Sequence, residues 1–277
     1  ATPRGWEDLS RFLTVYEKLG LSCDREVVAQ YIPHGRIARD FASYLELYYK
    51  YQAHYQIDEA LSGRRSEALL EQAARAPFDE KLSVISLVLA KLNVEFRKTG
   101  KMEDGLELLF EKLKAFKEQL AEAGDGTPVQ RLTAFTREVR EEYEGKKQAG
   151  LLTRAQIHRY EDICGTLDQY LLAAGEAEAQ DGETLFGMLA ARFGEGREQY
   201  EDQCRAVLQM VEYAFDLMEG AFGDSQEMVI FITELNTSYD AVRFLEENPC
   251  ERYHQYNRKL LFEDREADIK RKLERLL

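Results

Sequence analysis

Met228-Val229-Ile230-Phe231-Ile232-Thr233 is the stretch on which the fold class turns, because its β-branched and aromatic content suits a strand. A strand needs a partner to pair with, and nowhere else does the chain offer a second convincing one. The stretch therefore reads as part of a helix that opens at Asp224 with Glu227, runs through Val229, Ile230, Ile232, Leu235 and Val242, and ends at Leu245 ahead of Pro249. With that decision the whole chain reads as all-α, a multi-helix array or bundle.

The segments on either side support the same reading. The five prolines, Pro3, Pro33, Pro77, Pro128 and Pro249, each fall near a break between stretches whose apolar residues recur at helical spacing. Thr2 and Pro3 open a first helix through Trp6, Leu9, Leu13, Tyr16 and Leu19 to a stop at Gly20. Asp24 caps a short helix ending before Pro33. A third helix spans about 35–62, with Phe41, Tyr44, Leu45, Tyr48, Tyr51 and Tyr55 on one face, and stops at Gly63. Beyond it the periodicity predicts helices over 66–76, 79–98 and 102–123. Thr127-Pro128-Val129-Gln130 and Thr153-Arg154-Ala155-Gln156 each begin a helix with a capping box. A loop is expected at 175–182 and a long helix over 183–220, interrupted near Gly194-Glu195-Gly196. Two last helices are expected near 252–262 and 264–277.

At 277 residues, 44% hydrophobic and 32% charged, the composition is that of a globular protein with one large or two smaller domains. The formal charge of −14 argues against a chain-wide nucleic-acid-binding role. Residues 175–227 hold 13 acidic and 3 basic side chains, so −10 of that charge sits there, as a solvated face or as a surface for a basic partner. No apolar run approaches the roughly 20 residues that cross a bilayer, and the start lacks a charged-then-apolar signal layout, so no membrane role and a cytoplasmic address are expected. Cys23, Cys164, Cys204 and Cys250 form no C-x-x-C pair, which argues against a zinc or redox motif and a disulfide framework. The first residue is Ala and a helix starts almost at once, which suggests a piece of a longer protein.

Catalytic signatures are missing. There is no G-x-x-x-x-G-K-[ST] phosphate loop, no H-E-x-x-H, no G-x-S-x-G and no G-x-G-x-x-G after a strand. His158 with Glu161 or Asp162, His54 with Asp58, and Cys250 with His254 each set two ligands on one helix face, fewer than the four of a closed zinc site. Glu138, Glu141, Glu142 and Glu144 alternate with Arg137, Arg140, Lys146 and Lys147, the pattern of an ion-paired helix face. The tyrosines from Tyr44 to Tyr55 read as core or interface, with Tyr49 and Tyr51 as partner contacts where they point outward.

Arg4 is the residue that this account leaves over. It stands at the second helical position, where the positive end of the helix dipole disfavours a cation by roughly 0.3–1 kcal/mol. Pairing with Glu7 or Asp8 relieves that cost. So does an anion: a guanidinium at a helix N-terminus combines forked donors with a favourable field, which suits a phosphate.

The run Thr2-Pro3-Arg4-Gly5-Trp6-Glu7-Asp8-Leu9 resembles the sensor-2 segment of the MoxR branch of AAA+ ATPases, where a small hydroxyl residue, Pro and Arg open a helix of the lid. The resemblance covers residues 1–62. It implies a lid-like helical subdomain over 1–62, followed by a helical extension over 63–277 that would divide, if at all, near 175–182. It also implies that Arg4 reaches the phosphates of an ATP held, with Mg, by a preceding core domain. The phosphate loop, acidic magnesium motif, sensor 1 and arginine finger of that core have no counterpart in this sequence, so the chain by itself should not hydrolyse ATP. Partners implied are the AAA+ core, neighbouring ring subunits, and a client or von Willebrand A-type protein. Two other classes stay open: a free-standing helical scaffold or adaptor, and a metal-dependent helical enzyme.

Overall fold

A computed structural model describes residues 2–19, 21, 23–64, 67–122, 125–177 and 181–260, and within them all side chains but those of 17, 47 and 50–54. Among the described residues every regular element is a helix: α1 (Pro3–Lys18), α2 (Arg25–Tyr31), α3 (Gly35–Tyr55), α4 (Ile57–Ala60), α5 (Glu67–Arg75), α6 (Phe78–Ala121), α7 (Pro128–Gln148), α8 (Arg154–Glu176), α9 (Gly182–Phe222), α10 (Gln226–Thr237) and α11 (Tyr239–Glu247). A further helix, α12, covers 251–260 among the described residues. The strand-like stretch 228–233 lies inside α10, where Met228, Phe231, Ile232 and Leu235 are buried on one face. No helix among the described residues is long and apolar enough to cross a membrane.

Local signals hold where capping chemistry is strong. Asp24 accepts the Val27 amide at 3.0 Å, and both predicted capping boxes are complete, Thr127 with Gln130 and Thr153 with Gln156. The expected stop at Gly20, the start at Ser66 and the helix over 264–277 lie outside the described residues.

Four boundaries differ from the sequence reading. The 35–62 helix is two helices, broken at Gln56, which takes the left-handed conformation at φ 44°. In one continuous helix residues 55 and 57 would point about 200° apart; the break lets Tyr55 and Ile57 both bury, at 1% and 2% exposure. Conversely, 79–98 and 102–123 are the single helix α6. Thr99, buried at the expected join, donates its hydroxyl to the Glu95 and Phe96 carbonyls at 2.9 Å, and the helix passes through Gly100 unbroken. The expected interruption at Gly194-Glu195-Gly196 is likewise absent from α9, because packing overrides the low helix propensity of glycine there: a β-carbon on Gly196 would sit 3.6 Å from Leu106 of α6. The helix expected over 224–245 breaks at Ser238, whose extended backbone sends its hydroxyl to Asn93 Oδ1 at 2.6 Å.

The chain divides into two compact units, Ala1–Asn93 with Gln209–Tyr239 and Pro249–Leu277, and Val94–Leu208 with Asp240–Asn248. In the first unit α1, α2 and α3 enclose their own core of Leu9, Cys23, Val28, Ile32, Ala38, Ala42 and Leu45. Elsewhere in this unit Arg252 binds Asp216 at 2.6 Å and Glu212 at 3.3 Å, Lys81 binds Glu227 at 3.0 Å, and Lys259 pairs with Asp224. Much of the acid in 209–227 is thus neutralised by nearby cations. The second unit is built on the α6, α7, α8 and α9 faces, with Leu109, Leu113, Phe116, Leu132, Phe135, Ile163, Leu167, Leu185 and Leu189 in its core. Arg131 closes the α6 C-terminus by donating to the Leu120 carbonyl at 3.1 Å.

Candidate functional site

The first turn of α1 is assembled by four residues that hold a fifth in solvent. Thr2 Oγ1 accepts the Gly5 amide at 3.2 Å, and Pro3 opens the helix where no intrahelical donor is needed. Gly5 faces the end of α2: a β-carbon there would stand 2.5 Å from the Tyr31 carbonyl oxygen. Trp6 meets Phe41 of α3 edge-on, with ring centroids 5.0 Å apart, and Leu9 is buried in the three-helix core. Arg4 projects furthest into solvent of the charged residues here, with its side chain 91% exposed against 58% for Glu7, and its Nε 3.8 Å from Asp8 Oδ2. So long and exposed an ion pair adds little stability, and an incoming anion displaces it at small cost. The first turn of α1 holds no acidic residue.

Beside this turn runs a groove of about 280 Å³ lined by Trp6, Leu9, Ser10, Leu13, Thr14 and Phe41. From Phe41 the aromatics continue along α3, to Tyr44 at 6.3 Å, Tyr48 at 6.1 Å and Tyr49 at 5.7 Å. The stripe is divided in its role: Leu45 and Ala42 face the core, Tyr49 packs against it, and Tyr44 is exposed. Tyr51 and His54 have side chains outside the described set.

The other candidate groupings resolve into structural pairs. Glu142 accepts from Lys112 and Lys146, both at 2.6 Å; burial works to raise its pKa, but these two hydrogen bonds outweigh it and hold it at about 2. Glu141 pairs with Arg137 at 3.9 Å and Arg140 with Asp168 at 2.7 Å. His158 Nδ1 lies 3.3 Å from Glu161 Oε2, and the buried Cys250 points its thiol at Glu212 rather than into a ligand set with His254. Among the described residues no three His, Cys, Asp or Glu gather as a metal site would require.

One charged cluster of the second unit has no signature in the sequence. Arg243 of α11 binds Glu103 at 2.7 Å and Asp104 at 2.9 Å on α6, while Arg159 of α8 also reaches Asp104. Burial, and next a hydrogen bond with Glu247, push Glu103 up to about 7 against the pull of Arg243. The space beside it, between Phe96, Thr99 and Tyr200, has a free volume of about 10 Å³, room for one water and for no substrate. Its two arginines stand 55 and 139 residues from the Asp104 they share, so spacing could not have grouped them.

Comparison of the chain with protein-family models, with curated proteins and with solved structures gives no match.

Proposed function

We propose that this chain is the all-helical C-terminal module of a MoxR-type AAA+ ATPase, in which Arg4 senses the nucleotide and the helices beyond residue 62 contact a client, an adaptor or a neighbouring ring subunit. One observation favours it above the others: Thr2, Pro3, Gly5 and Trp6 are all spent on fixing the first turn of α1, and the cation they flank is left in water. An exposed guanidinium carried by a fixed turn at the positive end of a helix suits the terminal phosphates of ATP. The closed core of α1, α2 and α3 suits a lid, since the three helices would move as one piece when the phosphates engage or leave Arg4.

In this reading ATP and Mg are held by the preceding core domain, and this chain supplies only the cation and the moving lid. The chemistry of hydrolysis belongs to the core; the role of Arg4 is to bind and orient. A cytoplasmic address and a chaperone-like task beside a von Willebrand A-type partner belong to the same proposal. The test joins this chain to its ATPase core and replaces Arg4 by Ala. Nucleotide affinity and turnover should both change, and Trp6 fluorescence should respond to ATP in the parent and not in the variant. Unchanged turnover and affinity would remove the sensor role.

A further inference from the structure

In the second unit α6 and α9 run antiparallel, with Leu106 opposite Gly196 and Leu120 opposite Gly182. Between these contacts the two helices present facing stripes at helical spacing. Phe110, Leu113, Lys114 and Lys117 come from α6, and Phe186, Ala190 and Phe193 from α9, around an open groove of about 470 Å³. Phe110 is 56% exposed, and its ring lies 6.0 Å from that of Phe193. The stripes each rise through seven residue steps, roughly 11 Å or two helical turns. Small-molecule sites enclose most of their ligand; this trough is half-open to solvent, with a half-exposed aromatic on its lip.

Charge narrows the occupant. The chain carries −14 overall, yet the rim of this groove holds two lysines and a single acid, Glu118. Among the described residues Lys114 has no ion pair or hydrogen bond, and Lys117 lies over the Phe186 ring, 5.0 Å from its centroid, rather than against a carboxylate. Nearby Lys112, by contrast, is tied to Glu142.

We propose that this groove is the docking site for an acidic amphipathic helix of a partner protein, with apolar anchors at i, i+3 or i+4 and i+7 seated among Phe110, Leu113, Phe186 and Phe193, and flanking carboxylates on Lys114 and Lys117. The inference stands independently of whether Arg4 meets a phosphate.

The test is a display library of 16-residue helical peptides with one randomised face, selected on the intact chain and counter-selected on K114E/K117E and on F110S. All three residues are exposed, and circular dichroism melts establish that each variant folds. Enriched peptides should carry the apolar spacing with Asp or Glu at its flanks, bind K114E/K117E at least about tenfold more weakly, and lose binding to F110S. Enrichment indifferent to both variants, enrichment of basic flanks, or no enrichment overturns the proposal. So does decanoate binding abolished by F110S with no peptide selected, which would give the groove to a small amphiphile. Concentration-dependent dimerisation abolished by F110S would give it to a second copy and overturn it as well. Loss of function in an Arg4→Ala fusion leaves all these readouts untouched, so the two proposals fail separately.

Discussion

The Tyr31 carbonyl oxygen, at the C-terminal end of α2, closes the space above Gly5 so completely that a β-carbon on Gly5 would lie 2.5 Å away. The atom in the way is backbone, so it cannot rotate aside. Gly5→Ala must therefore push α1 off α2, at a cost of about 1–3 kcal/mol, whereas Gly35→Ala, with nothing within 4 Å, serves as the neutral control. Arg4→Ala removes only an exposed ion pair and should leave stability within about 0.5 kcal/mol. Urea denaturation of the three variants decides it; a Gly5→Ala protein as stable as its parent would refute this packing.

The sign of the pH dependence at Glu103 follows from its direction of shift. Its pKa in the folded chain is raised to about 7 by burial and then by Glu247, against an ordinary value of 4.5. The folded state therefore favours the protonated acid, and that stabilisation is full below pH 4.5 and lost as the pH rises through 7. Glu103→Gln mimics the protonated form, so its melting temperature should match the parent's near pH 5 and exceed it at pH 8. A difference between variant and parent that is flat over this range would count against the Glu103–Glu247 hydrogen bond.

How much of this was legible in the sequence depended on whether the deciding partner was near in the chain. Thr127 with Gln130 and Thr153 with Gln156 satisfy each other within one turn, so those helix starts could be read from four residues. For Arg4 only part of the setting is so near: Thr2, Pro3 and Asp8 lie in its own turns, while Tyr31 and Phe41, which meet Gly5 and Trp6, come from α2 and α3. Gly100 and Gly194 mislead because helix propensity is local, while the helices that contain them are held by packing elsewhere along their length, as at Gly196 of α9 against Leu106 of α6. Gln56 misleads in the opposite sense, as a break with no glycine to announce it, imposed by the burial of Tyr55 and Ile57. Arg243 and Glu103 look like two more surface charges until the fold joins α6 to α11.

The four cysteines should be slow to react. All are buried and none is paired, and burial raises the thiol pKa of Cys23, Cys164 and Cys204. Burial takes Cys250 to about 11, with the Glu212 carboxylate adding to the shift. At pH 8 roughly one Cys250 in a thousand is then thiolate, the form that attacks an aromatic disulfide reagent. Native protein should release chromophore over hours, and denatured protein should titrate four thiols within minutes. A fast native phase would identify a thiol more exposed than this structure allows.

Gly63 and Gly194 give the sharpest contrast between glycine that a fold requires and glycine that it tolerates. Gly63 has φ 82°, a conformation that costs an L-residue about 1–2 kcal/mol, and a β-carbon there would also meet the Tyr213 ring at 2.6 Å. Gly63→Ala should lose at least about 2 kcal/mol unless the tyrosine swings away. Gly194 lies inside α9 with nothing within 4 Å of a β-carbon, so alanine meets no obstacle and removes conformational freedom from the unfolded chain. Gly194→Ala should gain about 0.5–1 kcal/mol, read as a higher urea midpoint at unchanged slope. A loss of stability at Gly194 would mean that α9 is interrupted there in solution, as its sequence suggests and its structure denies.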